Sequence, residues 1–440
     1  MSDRSPRRGA SSLVTAETIA VGSELLVGGR TDGNSVFIAE ALGRLGIELR
    51  FKSVVGDDEA DIMAVVRTAV RRAGVVIMTG GLGPTVDDCT RAALARVTGK
   101  RLAIRKEALE GMAARLAQWG RTPNAGQRRQ ALIPSGANVI ANPVGSAPGF
   151  WLTWKGSLIF SLPGVPHEMQ AMVTASVIPL LETTLEDRRV ARVPLTRLVF
   201  HTFGLAEADV DAKLSGIVPR GINVDLGLLA SPLGVLVSLT MKPGRVIGDD
   251  VMRALAAEVR SRLSGWLFAE GHDTMEEVVG RLLTDKKLTL ALAESCTGGL
   301  IGHRLTQVPG SSSYVDRGIV CYSNQAKIDL LGVEPRLIER HGAVSAEVAE
   351  AMAKGARERS GTSVGLSVTG IAGPGGATAT KPVGLVYIGL SAAGGETLTK
   401  EYRFHGERTV IKQRASQAAL DLLRRWALTQ NPTAGGRSEA

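Results

Sequence analysis

The sequence predicts an α/β protein: two three-layer, parallel-sheet domains joined by a small α+β module. Three observations point there. At 440 residues the chain is longer than one ordinary core organises. Short β-branched runs alternate with helical patterns over residues 13–182. The same alternation returns over residues 274–428, after a stretch at 186–270 with a different rhythm.

In the first domain, residues 18–21 read as a strand that ends in a Gly-rich turn, and 36–45 carry helical periodicity. Residues 49–55 read as a strand, 62–72 as a helix, and 75–79 as a buried strand ending at Gly80. Another buried run, 158–162, is closed by Pro163-Gly164, and the domain ends near Leu181. Such β-α-β alternation implies a mostly parallel sheet covered by helices. In the middle module, strand-like runs at 195–203 and 235–241 accompany helical patterns at 207–214 and 250–263.

Composition narrows the function. Apolar residues make up 44% and charged residues 22%, an ordinary soluble balance. No stretch approaches the roughly 18 apolar residues that span a bilayer, so no membrane partner is expected. The start, Met1 to Ser12, is polar and basic and lacks the apolar core of a secretory signal; it and the last residues, 431–440, read as disordered. Cys89, Cys296 and Cys321 form no C-x-x-C pair, which fits a reducing cytoplasm and gives no zinc motif. The net charge of +9 suits nucleic acid or a small anionic substrate. With only 4% aromatic residues a base-stacking surface is poorly supplied, which favours the small anion.

The segment LTLALAESCTGGLIGHRL, residues 288–305, carries the strongest chemistry. An apolar strand runs to Ala293, and a helical pattern follows Gly299. Ser295 therefore lies in a strand-to-helix turn, where open α/β sheets bind ligands. Unpaired N–H groups at Thr297, Gly298 and Gly299 are candidates to hold an oxyanion or phosphate. A serine needs a base, and GIVCYSNQAK, residues 318–327, offers one. Its strand ends at Tyr322, Ser323 or Asn324 caps a helix, and Lys327 lies about one turn in. Burial would ease the loss of the lysine proton, and Ser with Lys and Tyr is an arrangement suited to amide hydrolysis. A third loop, 369–376, follows the strand 364–368 and is glycine-rich; Lys381-Pro382 then leads into a strand at 383–390. Taken singly, Ser295 could be a helix cap, Cys296 the nucleophile or a small buried residue, Lys327 a surface charge and Tyr322 a core edge.

AESCTGG, YSNQAK and GIAGPGG with KPVG resemble the CinA family over roughly residues 274–426. The resemblance implies a nicotinamide mononucleotide deamidase that forms nicotinic acid mononucleotide and ammonia, with no metal. It implies Ser295 as nucleophile, Tyr322 and Lys327 as catalytic proton handlers, and substrate contacts from Thr297, Gly298, Gly299, Asn324, Gly370, Ile371, Ala372 and Gly373. Arg408, in HGER, and Arg414 resemble positions near the ligand phosphate.

In the amino-terminal domain the strand at 75–79 runs into Gly80-Gly81-Leu82-Gly83, with Asp87 and Asp88 at the start of a helix. Glycine loops bind phosphate, and carboxylates beside them hold a divalent metal such as Mg or cap the helix. With Glu24 after the first strand and Glu168 after LPGVP, these segments resemble the CinA amino-terminal domain. That domain shares its fold with molybdopterin-binding proteins and is associated with metal-dependent ADP-ribose pyrophosphatase activity. Gly80, Gly81, Gly83, Asp87, Asp88, Glu24 and Glu168 are then the phosphate and metal candidates. One departure is Gly33-Asn34, where the family often has Thr-Asn. The middle module resembles the family's KH-like insert but has no G-x-x-G nucleic-acid loop, which favours a structural or homodimer-forming role. The expected ligands are therefore nicotinamide mononucleotide and ADP-ribose. The rivals are a molybdopterin-handling transferase and a non-enzymatic protein of competence or DNA uptake.

Overall fold

The computed structural model describes residues 15–85, 87–190, 196–241 and 249–430. The basic start, the last ten residues and Leu195 of the predicted middle strand lie outside the described residues. The described chain falls into two compact units, one built on residues up to Thr196, the other on Arg197–Thr240 together with the carboxy-terminal domain.

The strands of the first unit are β1 (Thr15–Val21), β2 (Glu48–Val55), β3 (Val75–Thr79), β4 (Leu102–Ile104), β5 (Leu132–Pro134), β6 (Asn138–Ile140), β7 (Gly149–Trp154) and β8 (Ser157–Leu162). Six form one sheet in the order β2-β1-β3-β8-β7-β6, while β4 and β5 pair separately. Side chains of β3 alternate between two cores: Val75 and Ile77 face one, Val76 and Met78 the other. That is the three-layer arrangement expected. The sheet is mixed, however, because β7 and β6 join it antiparallel. β7 turns into β8 through Lys155 and Gly156, with φ of 50° and 84°. Two residues with positive φ make a tight hairpin, so no crossover helix is needed there.

In the second unit, β9 (Arg197–Thr202), β10 (Val224–Ser231), β11 (Gly234–Met241) and β12 (Leu267–Glu270) form the middle sheet, in the order β10-β11-β9-β12. Val210 and Leu214 of helix Glu207–Leu214, and Met252 and Val259 of helix Asp249–Arg262, share its core with Phe200 and Val237.

The carboxy-terminal sheet holds β13 (Leu290–Glu294), β14 (Val315–Val320), β15 (Val364–Gly370), β16 (Leu385–Ala392) and β17 (Thr397–Arg403), in the order β14-β13-β15-β16-β17. Leu290 and Leu292 face the core under helix Arg408–Thr429, and Ala291 and Ala293 face the opposite one. Only small residues fit on parts of that second face. A methyl group on Gly365 would come within 2.1 Å of the Ala353 carbonyl on helix Ala346–Ser360. β14, β13 and β15 are parallel, while β16 and β17 are antiparallel. The predicted strand at 383–390 therefore reverses direction: its connection from β15 contains no helix to carry a parallel crossover. Glu294 is in register with Val320 on one side and Val368 on the other, so three loops leave the sheet at one level.

Candidate functional site

The nucleophile turn begins where β13 ends. All five residues of β13 are buried, which carries Glu294 inside with them at 1% exposure. Its carboxylate accepts the N–H groups of Gly299 at 3.0 Å, Ile301 at 3.1 Å and Gly302 at 2.8 Å. The first donors of helix Leu300–Thr306 are thus satisfied from within. Gly298 and Gly299 have φ of 63° and 92°, a left-handed pair that lets the chain turn back over this carboxylate. Gly298 N–H donates to the Ser295 carbonyl at 3.1 Å, and Ser295 N–H to the Val368 carbonyl at 2.9 Å. Ser295 is held at 8% exposure between β13 and β15.

The second loop brings Lys327 to Ser295. Ser323 caps helix Asn324–Leu331 by accepting the Ala326 N–H at 3.0 Å. This places Lys327 one turn in and pointing back under the sheet edge, at 1% exposure. Its Nζ donates to Ser295 Oγ at 3.1 Å, to the Cys321 carbonyl at 2.9 Å and to the Tyr322 carbonyl at 3.4 Å. Burial holds its pKa below the ordinary lysine value of 10.5. Burial pushes the neighbouring Cys296 thiol up to about 12. A thiol held protonated is a poor nucleophile, and among the described residues it is Ser295 Oγ, not Cys296 Sγ, that is hydrogen-bonded to Lys327 Nζ.

The third loop and the last helix close the cleft. Arg408, at the start of helix Arg408–Thr429, donates to the Gly373 carbonyl at 2.7 Å and to the Tyr322 phenol at 2.8 Å. Lys381 Nζ binds the carbonyls of His341 at 2.6 Å and Val344 at 2.7 Å, fastening the segment with Ala343 and Val344 that forms another wall. The cleft measures about 230 Å³ and brings together Ser295, Tyr322, Asn324, Lys327, Gly370, Ile371, Ala372, Gly373 and Arg408. No aspartate or glutamate is among its lining residues, whereas the Arg408 guanidinium and the Lys327 amine are.

Four expected contacts are placed elsewhere. The Thr297 side chain is fully buried, so its hydroxyl does not face the cleft. Gly298 and Gly299 serve the turn, and their N–H groups are taken by Ser295 and Glu294. Among the described residues no protein acceptor takes the Thr297 N–H, but the residue is fully buried and does not line the cleft. Arg414 turns away to the His405 carbonyl at 3.0 Å. The Tyr322 ring is 58% exposed at the rim, and among the described residues no hydrogen bond joins its phenol to Ser295 or Lys327. Ser295 Oγ is hydrogen-bonded to Lys327 and, among the described residues, not to Tyr322.

Glu294 escaped the sequence reading, although a carboxylate directly before a glycine-rich helix start is the signal for it. A Glu294→Gln chain keeps one acceptor oxygen and aims an NH2 at backbone donors. It is expected to lose about 2 kcal/mol of stability, the scale of a charge-assisted hydrogen bond. Turnover should fall with little change in KM. Urea unfolding and steady-state kinetics check both, and an unaltered unfolding midpoint would contradict this role.

In the amino-terminal unit the glycines of the 80–83 loop serve close packing. A methyl group on Gly80 would meet the Val21 carbonyl at 2.1 Å, and one on Gly81 would meet Thr90 Oγ1 at 2.1 Å. Both oxygens of Asp88 are engaged, accepting the Gly83 N–H at 2.7 Å and the Thr85 N–H at 2.8 Å. Arg91, Arg129 and Gln130 bind the loop's carbonyls from behind. Glu168 accepts from Asn142 Nδ2 at 2.6 Å, while Asp87 and Glu24 are exposed. Among the described residues no three His, Cys, Asp or Glu side chains are grouped to hold a metal ion. Asp87, Asp88, Glu24 and Glu168 thus form no three-ligand group by themselves, and Asp88 braces the loop.

A family model described as the CinA C-terminal domain matches residues 272–427, and one described as a probable molybdopterin binding domain matches residues 17–183. The chain is 42% identical over 414 residues to a CinA-like protein of Geotalea uraniireducens, covering 94% of this chain and 97% of the other. It is 43% identical over 418 residues to a CinA-like protein of Geobacter metallireducens, covering 93% and 98%. Among solved structures, the competence/damage inducible protein CihA from Agrobacterium tumefaciens is 46% identical, covering 36% of this chain and 96% of that one, with a TM-score of 0.34.

Proposed function

This chain belongs to the CinA family, and from that premise we propose that its carboxy-terminal domain hydrolyses the carboxamide of nicotinamide mononucleotide. The observation that carries the reading is the buried Lys327 hydrogen-bonded to Ser295 in a cleft with cationic and no acidic lining. A neutral amine accepts the serine proton as Oγ attacks the carboxamide carbon. The oxyanion that forms lies at the backbone turn that follows Ser295. Lys327 then returns the proton to the leaving nitrogen, the C–N bond breaks and ammonia departs, leaving an ester on Ser295. Water attacks the ester, Lys327 accepts its proton and gives it back to Oγ, and the carboxylate product leaves. Each step uses groups of the chain and water alone.

Ammonia release from nicotinamide mononucleotide tests this. The purified chain is expected to release one ammonia per carboxylate formed, at a rate unchanged by a chelator such as EDTA. Absence of release would remove the deamidase reading, and release abolished by EDTA would remove the metal-free mechanism.

A further inference from the structure

Glu294 occupies the N–H groups of Gly299, Ile301 and Gly302, so those donors are closed to an anionic ligand beside the nucleophile turn. Arg408 is one cation within reach, but its donors already bind the Gly373 carbonyl and the Tyr322 phenol. Both partners are neutral oxygens, so its positive charge is uncompensated while part of its hydrogen-bonding capacity is used.

Lys412 stands one helical turn beyond Arg408, and residues four apart leave a helix on the same face. Arg408 reaches the loop that follows β15. Lys412 reaches the nucleophile turn, where its Nζ would lie 3.6 Å from a methyl group placed on Gly298. The lysine is half-buried, and among the described residues no carboxylate or carbonyl takes its protons. Arg414 cannot do the same, because a two-residue step points to the far side of the helix and its guanidinium binds the His405 carbonyl.

We propose that Lys412 is a specificity-determining residue that pairs with the phosphate monoester of the substrate, and that with Arg408 it makes the site select a nucleotide over its nucleoside. Arg408 lines the cleft and Lys412 reaches the adjoining nucleophile turn, both from one helix, so a phosphate held between them meets two charges at once. This inference rests on the deamidase reading.

The test compares ammonia release from nicotinamide mononucleotide and from nicotinamide riboside for the parent, Lys412→Met and Lys412→Arg chains. In Lys412→Met the nucleotide's kcat/KM is expected to fall about 10- to 100-fold, chiefly through KM, with the riboside unaffected. Lys412→Arg should keep most of the nucleotide preference. Equal loss on both substrates, or an undiminished preference for the nucleotide, would overturn the assignment. If the parent releases ammonia from neither substrate, the deamidase reading falls on its own. Calorimetric binding of inorganic phosphate then decides: weaker binding in Lys412→Met upholds the role of the lysine, and equal binding overturns it.

Discussion

Ser295→Ala is expected to cut ammonia release by about 10^4-fold or more, the scale of removing a nucleophile from a catalytic constellation, or about 5.5 kcal/mol of barrier. The fold should barely register the change. The Ser295 N–H keeps its bond to the Val368 carbonyl, and Lys327 keeps the Cys321 carbonyl. One neutral hydrogen bond is lost at most, so the thermal midpoint should stay within about 3 °C of the parent. An ammonia assay and a thermal scan on the same preparation separate the two effects. Turnover above about one per cent of the parent would move the nucleophile to Cys296.

Lys327→Met is expected to abolish turnover as thoroughly, and it carries a second signature in pH. Activity of the parent requires a neutral amine, so kcat/KM should rise with pH, with a midpoint below the ordinary lysine value of 10.5. Between the lowered pKa and 10.5 the unfolded chain binds more protons at this position than the folded one. Stability owed to Lys327 therefore rises with pH across that window, and the burial cost is fully present below it. Methionine has nearly the same length and no charge. The stability of the parent relative to Lys327→Met should accordingly increase as pH rises toward 10.5. Urea titrations at several pH values measure it, and a difference independent of pH would mean that Lys327 does not titrate between the two states.

Much of this site was legible because its signals are local. β13 is a wholly apolar run that stops at a glycine turn, and the second loop offers a serine cap with a lysine one turn later. What was misread depends on where short side chains and N–H groups point. Thr297 lies in the turn as expected, but its side chain goes inward, and Gly298 and Gly299 satisfy backbone geometry and the Glu294 carboxylate ahead of any ligand. Arg408 was assigned by resemblance alone, because its partner Tyr322 is 86 residues away and no local pattern links them. Lys412 stands four residues after Arg408 on one helix, a spacing that puts the two side chains on the same face. In the fold, the antiparallel β7 escaped notice because its turn, Lys155-Gly156, is not one of the usual Asn-Gly or Asp-Gly pairs.

The contacts of the site also differ in how far along the chain they reach. Glu294 closes loops of only 5 to 8 residues when it gathers the N–H groups of Gly299, Ile301 and Gly302. The Lys327–Ser295 contact spans 32 residues, and the Arg408–Tyr322 contact 86. Loop-closure entropy grows with span, so these contacts form in that order as the chain condenses. The Lys327–Ser295 pair is thus complete only once β14 and the helix after it are docked beside β13.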